Sequence, residues 1–309
     1  MCNGSIMDKL VSFALPLMLS GILQLMFNAV DIIVVGRFSG SEALAAVGST
    51  TALINVFTNL FIGISLGANV LAARFFAAGR KEEMSETVHT SITLALISGI
   101  LMAFVGLVFS KGALELMGTP EDVIGLSTLY MRIYFMGMPF FMLYNYGAAI
   151  LRAVGDTKRP LYFLIIAGVI NAGLNMLLVI VFGLGVAGVG IATVFSQMVS
   201  CVLVLTCLCR TEGSYKLSFS KLSMKGYYLK QIFQVGIPAG IQSTVINFSN
   251  ALLQSSVNSF GSTAMAGYTA ANNILGFLYV SINSVTQACM SFTSQNFGVG
   301  KYKRMDRVL

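Results

Sequence analysis

Charge is scarce in this sequence, and its scarcity excludes most classes of soluble protein. Only 10% of the 309 residues are Asp, Glu, Lys or Arg, whereas an average soluble chain has about 25%. Hydrophobic residues make up 56% of the chain. They recur in runs of roughly 20 residues, which is the length a helix needs to cross a bilayer. A soluble helical bundle would need charged faces that these segments lack, so the composition predicts an all-α integral membrane protein.

Residues that ligate metals or act as catalytic bases are also rare. The chain has one histidine, His89, which we expect at the membrane interface at the start of a helix. Its five cysteines lie mostly inside apolar runs, and the C-x-C of Cys207 and Cys209 is not a zinc spacing. A membrane-embedded enzyme would need paired acids, histidines or metal ligands, and one acid lies clearly at membrane depth. We therefore expect no enzymatic activity and no cofactor.

Eight apolar segments are long enough to be membrane helices, and turn-forming or charged residues separate them. We predict these helices at 10–36, 43–73, 87–110, 124–151, 160–183, 186–209, 231–259 and 264–294. The longest polar connection, 210–230, is the predicted boundary between lobes. It separates an N-lobe of six helices, 1–209, from the first two helices of a C-lobe, 231–309.

Positive charge is unevenly distributed between the two sides of the predicted bundle. All but three of the 19 Lys and Arg residues fall in segments on the same side as the N-terminus. The positive-inside rule makes that side cytoplasmic, in a multi-pass protein of the plasma membrane. The distribution also explains the net charge of +7 without a nucleic-acid partner. Arg132, one of the exceptions, either extends to the outer interface or binds an anion at depth.

Two parts of the chain repeat each other at an offset of 221 residues. GSEALAAV at 40–47 matches GSTAMAGY at 261–268, and RFFAAGRKEEM at 74–84 matches QNFGVGKYKRM at 295–305. The seventh and eighth helices therefore repeat the first and second in the same orientation. Parallel six-helix repeats are a known transporter plan, with the site between the halves. A complete second unit would need four more helices, so we expect either a fragment or a partner that supplies them.

The first apolar segment carries the acid at membrane depth, Asp31, with no other charge from 10 to 36. Placing a carboxylate there costs roughly 2.5–3.5 kcal/mol, so a functional reason is expected. Pro16 removes a backbone hydrogen bond near the start of the segment and allows the helix to bend. Three polar residues at helical spacing share the face of the acid: Ser20, Gln24 and Asn28.

Asp31 has two chemically reasonable roles and one structural alternative. In an interior of low dielectric constant, its carboxyl group can bind and release a proton. When ionised, it can join neutral oxygens around Na⁺, the kind of ligand that hard cations prefer. The alternative is that Asp31 lies near the headgroups, where it caps the helix or pairs with Arg37. We favour the coupling role.

The chain resembles the MATE family of multidrug and toxic compound extrusion antiporters over almost its whole length. The resemblance rests on LP…Q…VD-x-x-x-x-G-R in the first helix and on L-R-A-x-G-D-T-K-R-P at 151–160. It also rests on N-x-x-x-N in the fifth helix, P-A-G-I-Q in the seventh, and Q-N-F-G-x-G at 295–300. It implies two six-helix bundles facing across a V-shaped cavity, twelve helices in all. It further implies export of drugs in exchange for H⁺ or Na⁺, by a protein we expect to be monomeric when full length.

The resemblance also implies roles for particular residues. Asp31 matches the acid of the family's first helix, with Gln24 on the same face and Pro16 at the bend. Asn171 and Thr193 match a cation site in the N-lobe. Asn175 matches a position that is aspartate in one branch of the family, so the coupling ion stays open between H⁺ and Na⁺.

Amide side chains in the seventh helix offer a second polar face, without the acid that some family members carry there. They either line a substrate path or form hydrogen bonds between helices: Gln242, Asn247, Asn250 and Gln254. We predict a cation-coupled exporter of amphipathic, cationic, drug-like small molecules that works by alternating access. The alternative of related architecture is a lipid-linked oligosaccharide flippase, whose diphosphate substrate would need several Arg or Lys at depth.

Overall fold

The computed structural model describes residues 2–258 and 262–308, without side-chain detail at 52, 248 and most of 251–274. Within these ranges the protein is helical and contains no strand. The α-helices are α1 (Ile6–Phe38), α2 (Gly40–Ala77), α3 (Lys81–Leu116), α4 (Glu121–Met136), α5 (Met138–Ala153), α6 (Lys158–Asn175), α7 (Gly185–Arg210), α8 (Gly226–Asn258), α9 (Ser262–Gly298) and α10 (Tyr302–Met305). A π-helical segment, Met176–Val181, continues α6, and Phe219–Lys221 forms a 3₁₀ turn.

Five of the described helical segments are long and apolar enough to cross a membrane, judged by length and composition. They are Ile6–Phe38, Gly40–Ala77, Lys81–Leu116, Lys158–Val181 and Gly185–Arg210. The all-helical membrane fold predicted from composition is therefore confirmed. The count of eight spans stays a prediction, because α8 and α9 carry many amide and hydroxyl side chains and the segment 124–151 is divided in two.

The predicted helix at 124–151 is interrupted at Gly137, which ends α4 and begins α5. Pro139 follows within the first turn of α5 and has no N–H to continue the hydrogen bonds of α4. The amides of Phe140 and Phe141 both bond the Gly137 carbonyl, each at 3.1 Å, and so start the new helix. The prediction of one continuous helix was wrong because apolar periodicity runs unbroken across this turn.

The repeat found in the sequence has the same backbone geometry at both copies. Gly79 after α2 and Gly300 after α9 both have a positive φ, of 69° and 71°, which favours glycine. In each turn, the backbone amide of the residue after the glycine donates to the carbonyl five residues before it. These hydrogen bonds run from Arg80 to Phe75 at 3.1 Å and from Lys301 to Asn296 at 2.9 Å. This pattern is a Schellman ending. Both copies therefore end their helix in the same way, an ending that Gly118 after α3 and Gly155 after α5 also show.

The main hydrophobic core lies between α2, α3, α4, α5 and α7, and α8 packs against it. Its largest fully buried side chains include Tyr146, Phe135, Met131, Met138 and Met142. The Met- and Phe-rich stretch across α4 and α5 is thus mostly packed into this core.

Glycines bring α2 and α8 into backbone contact. A Cβ added at Gly63 would overlap the backbone of Gly240, and one added at Gly67 would overlap the carbonyl of Ile232. A Cβ at Gly236 would lie 2.5 Å from the Cα of Ile64. Small residues allow this close approach between membrane helices, where lipid provides no hydrophobic drive for association. We call these contacts the glycine seam.

One end of the bundle joins the N-terminus to the turn between α9 and α10. The Lys301 ammonium donates to the carbonyl of Cys2 at 2.9 Å and to Oδ1 of Asn3 at 2.7 Å. Arg304 donates to the carbonyl of Gly4 at 2.7 Å. We call this arrangement the N-terminal clasp, and the end of the bundle that carries it the basic end.

Candidate functional site

A polar cavity of about 470 Å³ lies between α1, α2, α4–α7 and α9. Its wall consists mostly of amide, hydroxyl and aromatic side chains, in a chain with only 10% charged residues. Residues predicted from sequence that line it are Asp31, Gln24, Asn28, Asn171 and Thr193. The helices that the resemblance assigns to the N-lobe therefore bring three of the predicted coupling residues, Asp31, Asn171 and Thr193, to the wall of one cavity.

Asp31 is buried, with 9% of its surface exposed, and its carboxylate faces α6. Asn175 is fully buried and donates a hydrogen bond from Nδ2 to Oδ1 of Asp31. The same nitrogen donates to Oδ1 of Asn171 at 3.2 Å. These three side chains form the Asp31 cluster. A buried carboxylate needs hydrogen-bond donors to replace its water shell. The hydrogen bond from Asn175 therefore lowers the free-energy cost of burying Asp31 at this position.

The geometry of α6 places the two asparagines. Asn171 and Asn175 are one helical turn apart, so their side chains lie on the same face and meet the acid of α1. Asn175 is the last α-helical residue before the π-helical segment Met176–Val181. π-helical turns widen a helix and frequently occur at functional sites. Apolar periodicity does not reveal this turn, because the residues within it are as apolar as those of an ordinary membrane helix.

Three other features surround the cluster. Tyr130 and Tyr134, from α4, line the same cavity as Asp31. Thr193 lines the cavity from α7, with its hydroxyl bonded to the carbonyl of Val189 at 2.9 Å. The sequence interpretation did not single out the tyrosines, whose i, i+4 spacing on an apolar helix resembles core packing.

Pro16 lies inside α1, where its missing N–H leaves the carbonyl of Ser12 without a helical donor. One turn further on, the Ser20 hydroxyl donates to the Pro16 carbonyl at 2.8 Å. Ser20 also lines the cavity, so the predicted point of bending is adjacent to the polar wall.

Three of the four amides predicted in α8 do not line this cavity. Gln242, Asn247 and Asn250 are exposed, and Asn247 donates to the carbonyl of Ser243 in its own helix at 2.9 Å. The side chain of Gln254 lies outside the described residues. On α9, in contrast, Asn283 and Gln287 line the cavity wall.

Several polar residues of the wall were not among the sequence predictions. They are Asn55, Asn59, Asn145, Ser196 and Gln197. Each lies among mostly apolar residues of a membrane helix, so the local sequence gives little sign of a polar wall. A search for amides spaced at helical intervals on α2 would have found the pair Asn55 and Asn59, since they are one turn apart.

The two arginines of interest lie in different surroundings. Arg132 is exposed and does not line the cavity, which agrees with the alternative that it extends to the interface, whereas Arg152 lines the cavity wall. His89, which we expect at the membrane interface, lies near the start of α3 and is buried within the protein with 3% exposure. Its Nδ1 bonds the carbonyl of Ser85 at 2.7 Å, and its Nε2 accepts from the amide of Ser218 at 3.1 Å. The histidine thus ties the connection between α7 and α8 to α3.

The pairing of Asp31 with Arg37 is not formed. Among the described residues Asp31 takes part in no ion pair, and Asn175 is its hydrogen-bond partner. The carboxylate faces the interior of the bundle, which leaves the two ion-binding roles open.

Apolar helices of membrane length that surround a polar cavity define a multi-pass membrane transporter. The chain belongs to the MatE family, whose model matches residues 16–177 and 238–309. It is similar to the probable multidrug resistance protein YoeA of Bacillus subtilis, with 33% identity over 314 residues. That match covers 99% of this chain and 67% of the relative. The resemblance to the MATE family is therefore confirmed.

Further relatives share the family and the fold. YpnP, a probable multidrug resistance protein of Bacillus subtilis, is 29% identical over 306 residues, with 98% of this chain and 68% of that protein covered. One solved structure is an outward-facing multidrug resistance MATE family transporter of the MOP superfamily. It matches with a TM-score of 0.91 and 24% identity over 99% of this chain and 68% of that one. The chain spans about two thirds of the length of these proteins.

Proposed function

We propose that this protein exports amphipathic organic compounds across the plasma membrane in exchange for H⁺ or Na⁺. The observation that carries the proposal is the Asp31 cluster on the wall of a polar cavity. A lone carboxylate inside a membrane bundle is expensive and therefore rarely retained without a function. Multidrug resistance proteins among the relatives support the substrate class.

The Asn175 amide lets the cluster respond to a proton. When Asp31 is ionised, it accepts the hydrogen bond from Nδ2 of Asn175. When it is protonated, its hydroxyl becomes a donor, and Oδ1 of Asn175, which is buried without a described partner, becomes the matching acceptor. Rotation of the Asn175 side-chain amide would then let its Oδ1 accept from the protonated carboxyl group, in place of the present bond from Nδ2 to Asp31. This exchange would change how α1 packs on α6.

Sodium would use the same side chains differently. The carboxylate of Asp31 and the amide oxygens of Asn171 and Asn175 are hard oxygen donors, and the Thr193 hydroxyl can add a fourth. Binding would require the asparagine oxygens to turn toward the ion and away from their present hydrogen-bonded orientation. We therefore propose H⁺ and Na⁺ as alternative coupling ions, with Asp31 as the group that binds either one.

Coupling requires that the ion bind the outward and inward conformations with different affinity, since equal affinity would shift neither population. We assign the basic end to the cytoplasm, in agreement with the positive-inside rule. We further propose that the protein works as a monomer. The flippase alternative is not favoured, because one arginine lines the described cavity wall where a diphosphate would need several cations.

The test is efflux of a fluorescent amphipathic cation, ethidium, from proteoliposomes driven in turn by a proton gradient and by a sodium gradient. We expect one gradient to drive efflux from the wild type, and Asp31→Asn to abolish it because the amide cannot ionise. The matched control is Asp8→Asn, which makes the same change at an exposed position on α1 and should leave efflux intact.

The gradient that drives efflux identifies the coupling ion. Wild-type efflux rates in Asp31→Asn, at equal amounts of inserted protein, would refute the coupling role. Efflux from the wild type that ignores both gradients would refute antiport.

A further inference from the structure

Arg152 places a cation on the wall of the polar cavity, at its basic end. It is the last residue but one of α5, and the backbone on either side of it is fixed by amides from other helices. Asn69 donates to the carbonyl of Ala149 at 2.8 Å. Gln295 donates to the carbonyl of Ala153 at 2.7 Å. The guanidinium is thus carried by a backbone that two neighbouring helices hold in position.

No anion compensates this charge in the described part of the chain. Arg152 takes part in none of the described ion pairs, and the nearest acid in sequence, Asp156, is paired with Arg159 at 3.2 Å. Tyr144, two turns earlier on α5, lines the same cavity. The Tyr144 hydroxyl donates to the carbonyl of Pro160 at 3.2 Å. A neutral phenol does not balance a guanidinium, which stays charged at all physiological pH values.

A guanidinium in this position is suited to one kind of ligand. It presents five N–H donors in a planar fork, which matches the two oxygens of a carboxylate or another oxyanion. Asp31, the other charged residue on the described wall, lies toward the opposite end of the cavity. Its partners on α6 are roughly 20–25 Å from the start of that helix, at ~1.5 Å rise per residue. The cavity therefore has one charge of each sign, separated along its length.

We propose that Arg152 forms an anion subsite of the cavity and binds the carboxylate, or a comparable oxyanion, of an organic substrate. The inference rests on the proposed function and narrows it. The favoured substrates are dipolar compounds with a cationic or aromatic part and an attached oxyanion, which should bind more tightly than compounds that carry positive charge alone. The amide and aromatic side chains between the two charges would contact the uncharged part of the ligand.

A matched pair of dyes tests this subsite. Tetramethylrhodamine has a xanthylium cation and a free carboxylate, and its methyl ester keeps the cation without the carboxylate. The measurement is equilibrium binding of each dye to the purified protein in detergent micelles by fluorescence anisotropy, with empty micelles subtracted. The variants are Arg152→Gln and Arg152→Lys. Arg159→Gln is the control, since it removes the same charge seven residues away from a side chain that does not line the cavity.

We expect the ratio of acid to ester affinity to fall about tenfold from the wild type to Arg152→Gln, the loss typical of one charge-assisted hydrogen bond. Arg152→Lys should retain part of the preference, because an ammonium keeps the charge without the fork. Arg159→Gln should keep the wild-type ratio. An unchanged ratio in Arg152→Gln, or an equal loss for both dyes, would overturn the anion subsite and leave the proposed antiport intact.

Two further outcomes keep the test decisive. If Arg152→Gln does not fold, Arg152→Lys takes its place, and a ratio in that variant equal to that of the wild type would overturn the inference. If the wild type binds neither dye, the cavity is not a site for amphipathic organic ions. In that case the proposed function fails together with the subsite.

Discussion

At the scale of single residues, Asn175 decides how an acid can be held inside this bundle. It supplies the described hydrogen bond to Asp31 and is itself completely buried. Asn171 contributes differently, since it only accepts from Asn175. The two asparagines match one sequence pattern, N-x-x-x-N, yet only one of them contacts the acid. Their substitution should therefore have unequal consequences.

Replacement of Asn175 by Ala should lower gradient-driven efflux by about tenfold or more, because the buried carboxylate loses its donor, worth about 1.5–3 kcal/mol for a charged acceptor. Asn171→Ala should have the smaller effect. The measurement is the initial rate of dye efflux from proteoliposomes, normalised to inserted protein. Equal losses in the two variants would contradict the cluster geometry and favour a common role, such as ligation of one ion.

At the scale of helices, the glycine seam fixes how closely α2 and α8 can approach. Its contacts lie in the half of each helix nearer the basic end, because α2 finishes there and α8 begins there. Under the proposed alternating access, these two helices must separate there when the cavity opens toward the basic end. A contact between backbones involves few interlocking side chains, so it can part and re-form without repacking a core.

Gly240→Ala should destabilise the protein, because its Cβ would lie 2.6 Å from the carbonyl oxygen of Leu60, which belongs to the backbone and cannot move aside. Overpacking of this kind costs about 1–3 kcal/mol.

The matched control is Gly276→Ala on α9, where an added Cβ meets nothing within 4 Å. The control should be neutral or slightly stabilising, since Ala favours helix over Gly by ~1 kcal/mol. Thermal unfolding in detergent, followed by intrinsic tyrosine fluorescence, provides the comparison. Equal melting temperatures for the two variants would show that α2 and α8 can move apart to accommodate the added methyl group.

The sequence predicted the features that depend on composition and regular spacing. Charge scarcity gave the helical membrane class, and the offset of 221 residues identified turns that proved to have one geometry at Gly79 and Gly300. The polar stripe of the first helix led to Asp31. These signals are local or periodic, so one chain is enough to read them.

Other features depend on contacts that no local pattern encodes. Arg152 was overlooked because it stands beside Lys158 and Arg159 in a basic stretch that reads as a solvated loop, although its side chain turns to the cavity. The burial of His89 was not predicted because its partner, Ser218, is more than a hundred residues away. The interruption at Gly137 was missed because both of its flanks are apolar.

At the scale of the whole molecule, the connection from α7 to α8 is fastened to α3. His89 accepts the Ser218 amide, the Lys225 amide donates to the Thr90 hydroxyl at 3.4 Å, and Lys225 pairs with Glu86 at 3.7 Å. The predicted lobes are therefore joined by a long connection that is anchored to α3 at several points. Such a segment restricts how far α8 can move from α3.

Replacing His89 by Ala should release this anchor. We expect amide hydrogen exchange at Ser218 to accelerate by about tenfold or more, because the imidazole that accepts its N–H is removed and local opening becomes easier. The measurement is hydrogen–deuterium exchange followed by mass spectrometry of peptides covering 211–225. Glu82→Gln, an exposed change on the same helix, is the control. Unchanged exchange in the His89 variant would mean that the connection is held by other contacts.

The N-terminal clasp has a practical consequence for anyone who handles the protein. Cys2, Asn3 and Gly4 are held against the α9–α10 turn by Lys301 and Arg304, so the first residues of the chain act as a strap across two distant parts of the sequence. A purification tag or fluorescent protein fused ahead of Met1 would disturb the hydrogen bonds of the N-terminal clasp. Labels are better inserted in the exposed turn around Gly118, at the far end of the bundle, where transport can be followed with both ends of the strap undisturbed.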